Sequence, residues 1–150
     1  METAKIGKVL VAVDVENLKD LLKESDGQLT KEQVRRVRVE NALIDTGATG
    51  LLMPKSLILK LGLDPFRVRN AKTAAGIVTL NVYSTVRLTI QGRECHCDVT
   101  EIADDLSVLV GQVPLELLDW VVDARGQRLV GNPAHGGEFM HEAFVVASFA

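Results

Sequence analysis

The 150-residue chain is 47% hydrophobic and 25% charged, the balance of one globular domain with a single core. With 17 Lys and Arg against 20 Asp and Glu, its net charge of -3 supplies no electrostatic footprint for nucleic acid or for an anionic membrane surface. No apolar stretch approaches the roughly 20 residues of a membrane-spanning helix, and Asp14 breaks the apolar run near the N-terminus with no small-residue cleavage site after it, so no secretion leader is expected.

Short runs of Val, Ile, Leu and Thr, broken by Gly, Asn, Asp or Gln-Gly, read as strands rather than helices. "KVLVAVDVEN" is a first strand. The polar segment from Leu18 to Thr30 reads as a connection, and its Thr30-x-x-Gln33 capping box suggests one short helical turn. "RRVRVEN" is a second strand, in which alternation with Val37 and Val39 makes Arg35, Arg36 and Arg38 a solvated face rather than a phosphate site. "LLMP" is a short strand, and "PKSLILKLG" a short helix between Pro54 and a stop at Gly62. Phe66 to Ile102 alternates as two hairpins, reversing at "AKTAAGIV" and at Gln91-Gly92. An apolar strand ends at Gly111, a second short helix starts near Pro114, and a hairpin turns at Ala124 to Gln127. "NPAHGGE" is irregular, and "AFVVASFA" is apolar enough for a last strand.

Cys95 and Cys97 would share one face of a strand opposite His96, too close in sequence for a good disulfide. No second Cys/His pair exists to complete a zinc site, so both read as buried thiols, which suits a reducing cytoplasm. His135, Glu138 and His141 match neither zinc-protease helix motif and lie beside glycines, the pattern of a flexible surface tail. No metal and no cofactor is expected.

The chemistry concentrates in "ALIDTGATG", Ala42 to Gly50. A carboxylate directly after an apolar run emerges at the end of a buried strand, where its charge is costly without nearby donors or a shared proton. Gly47 lets the chain turn sharply, aims backbone N–H groups at Asp45 and admits a second chain, while Thr46 offers a hydroxyl across that contact. The plain alternative is that Asp45 and Thr46 simply start a turn, as Asp-x-Gly often does.

"LIDTGAT" resembles the active-site loop of the aspartic proteases, and its alanine after the glycine is similar to the retroviral, retropepsin type of clan AA. The resemblance covers most of the chain. After the short helix comes "NAKTAAGIVTLNVYS", with Gly76 in the place of a flap tip, and "VLVGQVPLELLD" matches an apolar strand closing in glycine before a helix. It implies an all-β, single retropepsin-like acid-protease domain over 1–150, a closed or partly open β-barrel with one or two short helices and a C-terminal tail from about 132. It also implies that Val108, Leu109, Val110 and Gly111 pack beneath the loop. The chain departs from the family in its longer Leu18 to Thr30 linker, its Ala74-Ala75-Gly76 tip and its C-terminal extension.

Such an enzyme needs two carboxylates about 3 Å apart sharing a proton. One Asp-Thr-Gly is present: "AVDVEN" around Asp14 lacks the glycine, and "VVDARG" around Asp123 has Ala-Arg where Thr-Gly is needed. The second acid is therefore expected from a second copy across a two-fold axis. The implied function is a homodimeric aspartic endopeptidase, with Asp45, Thr46 and Gly47 catalytic and a peptide or protein substrate bound by Ala48, Thr73, Ala74, Ala75, Gly76, Ile77 and Val78. Leu80 is a further pocket candidate. Ala48 has no hydroxyl to donate to an ionised carboxylate, so the pH optimum is expected to be less acidic than pepsin's. The alternative within the same fold is a non-catalytic dimeric peptide-binding module. A phosphotransferase of the haloacid dehalogenase type is disfavoured, because Gly47 stands where its second acid would be and no helix-strand alternation follows Asp14-x-Glu16.

Overall fold

Along β1 (Val9–Asn17), Val9, Val11, Val13 and Val15 are buried and the residues between them face outward, the period of a half-buried strand. The computed structural model, which describes residues 8–143, pairs β1 antiparallel with β2 (Arg36–Ile44) and, at its far end, with β5 (Gly76–Ile90). β5 pairs with β6 (Arg93–Ile102), and β6 runs parallel to β3 (Leu51–Pro54). The two-residue β7 (Leu109–Val110) lies between β3 and β2, antiparallel to the first and parallel to the second.

Because β1 pairs with both β2 and β5, the strands β1-β2-β7-β3-β6-β5 close on themselves, which removes the free edges of an open sheet. The expected all-β barrel is what forms. β4 (Pro65–Thr73) extends from β5 outside the ring, and β8 (Trp120–Asp123) with β9 (Arg128–Gly131) makes a separate hairpin. The interior is filled by side chains such as Leu51, Met53, Leu61, Leu88 and Ile90, all fully buried, each stabilising the fold by about 1.5–3 kcal/mol relative to exposure. Cys95 and Cys97 are unpaired and pack against this core. Among the described residues no helix is long and apolar enough to cross a membrane.

Three α-helices are described where two were expected: α1 (Leu18–Ser25), α2 (Lys55–Leu61) and α3 (Gln112–Leu118). α2 ends as expected at Gly62, in the left-handed conformation that glycine adopts without strain. α1 replaces the polar connection inferred for Leu18 to Thr30, and only the 3-10 turn at Lys31–Gln33 was foreseen, with the Gln33 side chain accepting from the Thr30 N–H at 2.8 Å. In α1, Leu18, Leu21 and Leu22 have helical spacing, a signal masked because the segment is otherwise polar, and polar contacts also hold the helix. Asn17 accepts from the Asp20 N–H at 3.1 Å and donates to the Leu61 carbonyl at 2.8 Å. Asp20, only 2% exposed, takes a bidentate pair from Arg35 Nε and Nη2 at 2.8 and 2.9 Å and a third bond from the Arg35 N–H. That guanidinium holds the Asp20 carboxyl below its usual range.

Arg35 is exposed, as expected, but it is not part of a strand face and its guanidinium is committed to Asp20. It precedes β2 and lies against Gly62, where any side chain would collide with it. Arg36 and Arg38 do face outward, but each is paired, with Glu16 at 3.1 Å and with Asp14 at 2.8 Å.

The surface tail expected around His135 is exposed at Glu138 and His141, but it is not loose: residues 132–142 are hydrogen-bonded around Asp119. Its carboxylate meets His135 Nδ1 at 2.7 Å, Asn132 Nδ2 at 3.1 Å and the Met140 N–H at 3.1 Å. Arg93 completes the clamp: it donates to the Asp119 carbonyl at 2.7 Å and to the Gly137 carbonyl at 2.6 Å, with its guanidinium 3.9 Å from the Trp120 ring centre. The last strand expected at "AFVVASFA" falls, from residue 144 onward, outside the described residues. Among the described residues, no group of three His, Cys, Asp or Glu side chains could hold a metal ion.

Two outcomes follow from this packing. Gly111, after β7, crosses under the 45–50 loop so closely that an added Cβ would lie 2.6 Å from both the Ala48 and Gly50 carbonyl oxygens. Gly111→Ala should therefore lower stability by about 2 kcal/mol, read as a reduced denaturant midpoint. The Asp119 carboxylate, helped by Glu142, raises the His135 pKa above the ordinary 6.5, and His135, with Asn132 and the Met140 N–H, lowers that of Asp119 below 3.8. The His135 contribution is present below pH 6.5 and fades as pH rises through its raised pKa; that of Asp119 is present above 3.8 and fades as pH falls through its lowered one. The loss of melting temperature in His135→Ala should accordingly be largest between these values and shrink as pH rises through the raised His135 pKa.

Candidate active site

β2 buries Ala42 and Ile44 and ends there, delivering Asp45 to the mouth of the barrel. Two bonds to the neighbouring strand fix the exit: the Leu43 N–H donates to the Val108 carbonyl at 2.8 Å and the Asp45 N–H to the Val110 carbonyl at 2.9 Å. Beyond Asp45, the loop serves as the N-terminal cap of α3, which has no side-chain cap. The Gly111, Gln112 and Val113 N–H groups donate to the carbonyls of Gly50, Ala48 and Thr49 at 2.8, 2.9 and 2.9 Å, satisfying donors that a helix start leaves unpaired. The 108–111 segment thus lies beneath the loop, where the family resemblance placed it.

Within the loop, the Ala48 N–H donates to the Asp45 carbonyl at 3.0 Å and the Gly47 N–H to Asp45 Oδ1 at 2.9 Å. A Cβ at Gly47 would stand 3.2 Å from that oxygen, so glycine lets the carboxylate lie against the turn. Asp45 Oδ2 has no hydrogen-bond partner among the described residues, and Thr46 and Gly47 are exposed beside it. A half-buried carboxylate with one oxygen anchored leaves the second oxygen free to accept a hydrogen bond from a further group.

A cleft of about 500 Å³ separates this loop from the β4–β5 hairpin, with Ala48, Gly50, Leu52 and Thr100 on one wall and Arg69, Ala71, Thr73 and Leu80 on the other. Strand register pairs Arg69 with Leu80, Ala71 with Val78 and Thr73 with Gly76, and directly opposed residues share a face. Of the residues expected to bind substrate, Ala48 and Thr73 line the cleft. Val78 is on the same face of the hairpin but outside the lining, and Ile77, 74% exposed, pairs with Lys72 on the opposite face. Ala74 and Ala75 form the tip, tied by Thr73 Oγ1, which donates to the Gly76 carbonyl at 2.8 Å and accepts from the Ala75 N–H at 3.2 Å. Gly76, at φ +116°, occupies a conformation that other residues rarely adopt.

Arg69, Leu52 and Thr100 were not anticipated. Arg69 was within reach of strand alternation, because it opposes Leu80, already a pocket candidate. Leu52 and Thr100 meet only because β3 and β6 run parallel, a pairing with no local sequence signal.

The two other acids weighed as second copies are committed elsewhere. Asp14 is paired with Arg38 at 2.8 Å on β1, and Asp123 accepts from the Gly126 N–H at 3.1 Å and from Arg128 at 3.3 Å in the β8–β9 hairpin. A hollow of about 300 Å³ over Asp14, Glu16, Arg36 and Arg38 is lined by charges already paired with one another.

Comparison with known proteins agrees with the loop's geometry. The model of the family described as "gag-polyprotein putative aspartyl protease" matches residues 31–116, a span from the turn before β2 to the middle of α3. Among solved structures, the chain is similar to one described as "Solution structure of Simian Foamy Virus (mac) protease", at 17% identity and a TM-score of 0.44, covering 73% of this chain and 93% of that one. Comparison with curated proteins finds no significant match. By the extent of the family match, which takes in the Asp45 loop and the whole β4–β5 hairpin, the chain belongs to the gag-polyprotein, retroviral-type aspartyl protease family.

Proposed function

We propose that the protein is an aspartic endopeptidase that works as a homodimer, each copy lending one Asp45. The observation that carries this reading is the Asp45-Thr46-Gly47 loop itself, a carboxylate with one oxygen anchored to Gly47 and the other open beside an exposed Thr46. Its neighbours Ala48 and Gly50 line a cleft sized for a peptide segment. With Asp14 and Asp123 held by arginines, a second copy is the remaining source of the second acid.

In the dimer, like charges at such short range cannot both ionise, so the pair holds one proton between two carboxylates. The ionised Asp45 takes a proton from a water as its oxygen bonds to the peptide carbonyl carbon. The protonated Asp45 gives its proton to the carbonyl oxygen, forming a neutral tetrahedral diol. Collapse breaks the C–N bond as a proton passes to the leaving nitrogen. An extended substrate lies between the loop and the β4–β5 hairpin, held by backbone pairing with alternate side chains in pockets. Two unpaired thiols, Cys95 and Cys97, support a cytoplasmic setting.

Mixed-peptide hydrolysis by the native chain should be measured across pH beside Asp45→Asn, which keeps the shape and removes the shared proton. The variant should lose roughly 10²–10⁴-fold in rate with an unchanged melting temperature; equal turnover would exclude the mechanism. Diluting the native enzyme below its dimer dissociation constant should reduce activity per chain, whereas concentration-independent specific activity would mean that one chain suffices.

A further inference from the structure

The cleft carries a charge that nothing beside it balances. Arg67 and Arg69 are two apart on β4 and so face the same way, yet they are differently provided for. Arg67 is bonded to Asp98 at 3.1 Å and lies 5.2 Å from the Phe66 ring centre. Arg69, the next residue on that face, lines the cleft and forms no ion pair among the described residues. No acidic side chain is among the residues lining the cleft. Apolar lining comes from Ala48, Leu52, Ala71 and Leu80, and Thr49, Asn70 and Thr100 are polar neighbours among the lining residues.

We infer that this cleft selects peptides bearing an acidic side chain, glutamate best, with Arg69 as the residue that determines the preference. The inference rests on the proposed peptidase reading for its placement of substrate between loop and hairpin. A glutamate suits the site on two counts. Its methylene stem covers the Leu52 and Leu80 surface, and its carboxylate reaches a guanidinium that offers a planar, bidentate fork. A lysine or arginine in the same place meets like charge, and a neutral residue forms no ion pair with the exposed Arg69.

The test uses peptides that differ only in glutamate or its isostere glutamine at each position around the scissile bond. At neutral pH and low salt, the native chain should prefer glutamate at one position by about tenfold in kcat/KM, and the ratio should fall toward one as salt screens the pair. Arg69→Met should remove the preference, and Arg69→Glu should turn it toward lysine at that position. Equal rates for the paired peptides in the native chain, or a glutamate preference that survives in Arg69→Met, would overturn the inference and leave the peptidase reading standing. A second arm measures binding of the same fluorescein-labelled peptides to Asp45→Asn by anisotropy, where glutamate should tighten binding to a similar extent. Selective binding with no hydrolysis by the native chain would overturn the peptidase reading and keep the role of Arg69; no preference in either arm overturns that role.

Discussion

Three consecutive backbone N–H groups, from Gly111 to Val113, hold the carbonyls of the loop that carries Asp45. The loop has little else: Thr46 and Gly47 are exposed, and its carboxylate makes one internal bond. Each such backbone bond contributes only about 1 kcal/mol net. Together, however, they satisfy the start of α3 and the loop at once, so neither can shift without breaking backbone bonds of the other. The contact is possible because Gly111 has no side chain, and because β7 threads between β2 and β3 to bring residue 111 beneath residue 48. The position of Asp45 is thus set by main chain meeting main chain, which holds it without shielding it.

Polar anchors do elsewhere what the apolar core cannot. The barrel accounts for the inward faces of the strands, but α1 and the segment after β9 present little apolar surface to it. α1 is held by the buried Asp20 and its Arg35 fork, with Asn17 linking β1 to the end of α2. Residues 132–142 are held by Asp119 and by an Arg93 guanidinium against Trp120. Both clusters fully hydrogen-bond their buried groups, and no buried side-chain polar atom among the described residues lacks a partner. Satisfaction of this kind specifies a unique arrangement more than it adds stability.

The family and the geometry bear on function at different depths. The family match establishes an aspartyl protease lineage, and the loop holds the Asp45 carboxylate with one oxygen anchored and the other open. The proposed dimer follows from chemistry rather than from contact, because a proton shared between carboxylates needs two of them. The cleft then adds what the loop cannot, a positive wall at Arg69 facing apolar residues, and so a basis for choosing among substrates that backbone pairing alone would treat alike.

Much of this was legible in residue order. Period-two alternation marked the long strands of the barrel and short apolar runs marked β3 and β7, Pro54 and Gly62 bounded α2, Gln91-Gly92 marked a hairpin, and "LIDTGAT" marked the loop, because each depends on neighbours a few residues apart. The arrangements that order could not disclose join residues far apart in the chain. Asp20 finds Arg35, Arg93 finds Gly137, Leu52 lies beside Thr100, and Gly111 slides under Ala48. Local pattern determined which segments are strands and where the carboxylate emerges. Only closure of the barrel decided what surrounds it, since distant partners are chosen by the geometry of packing and not by adjacency.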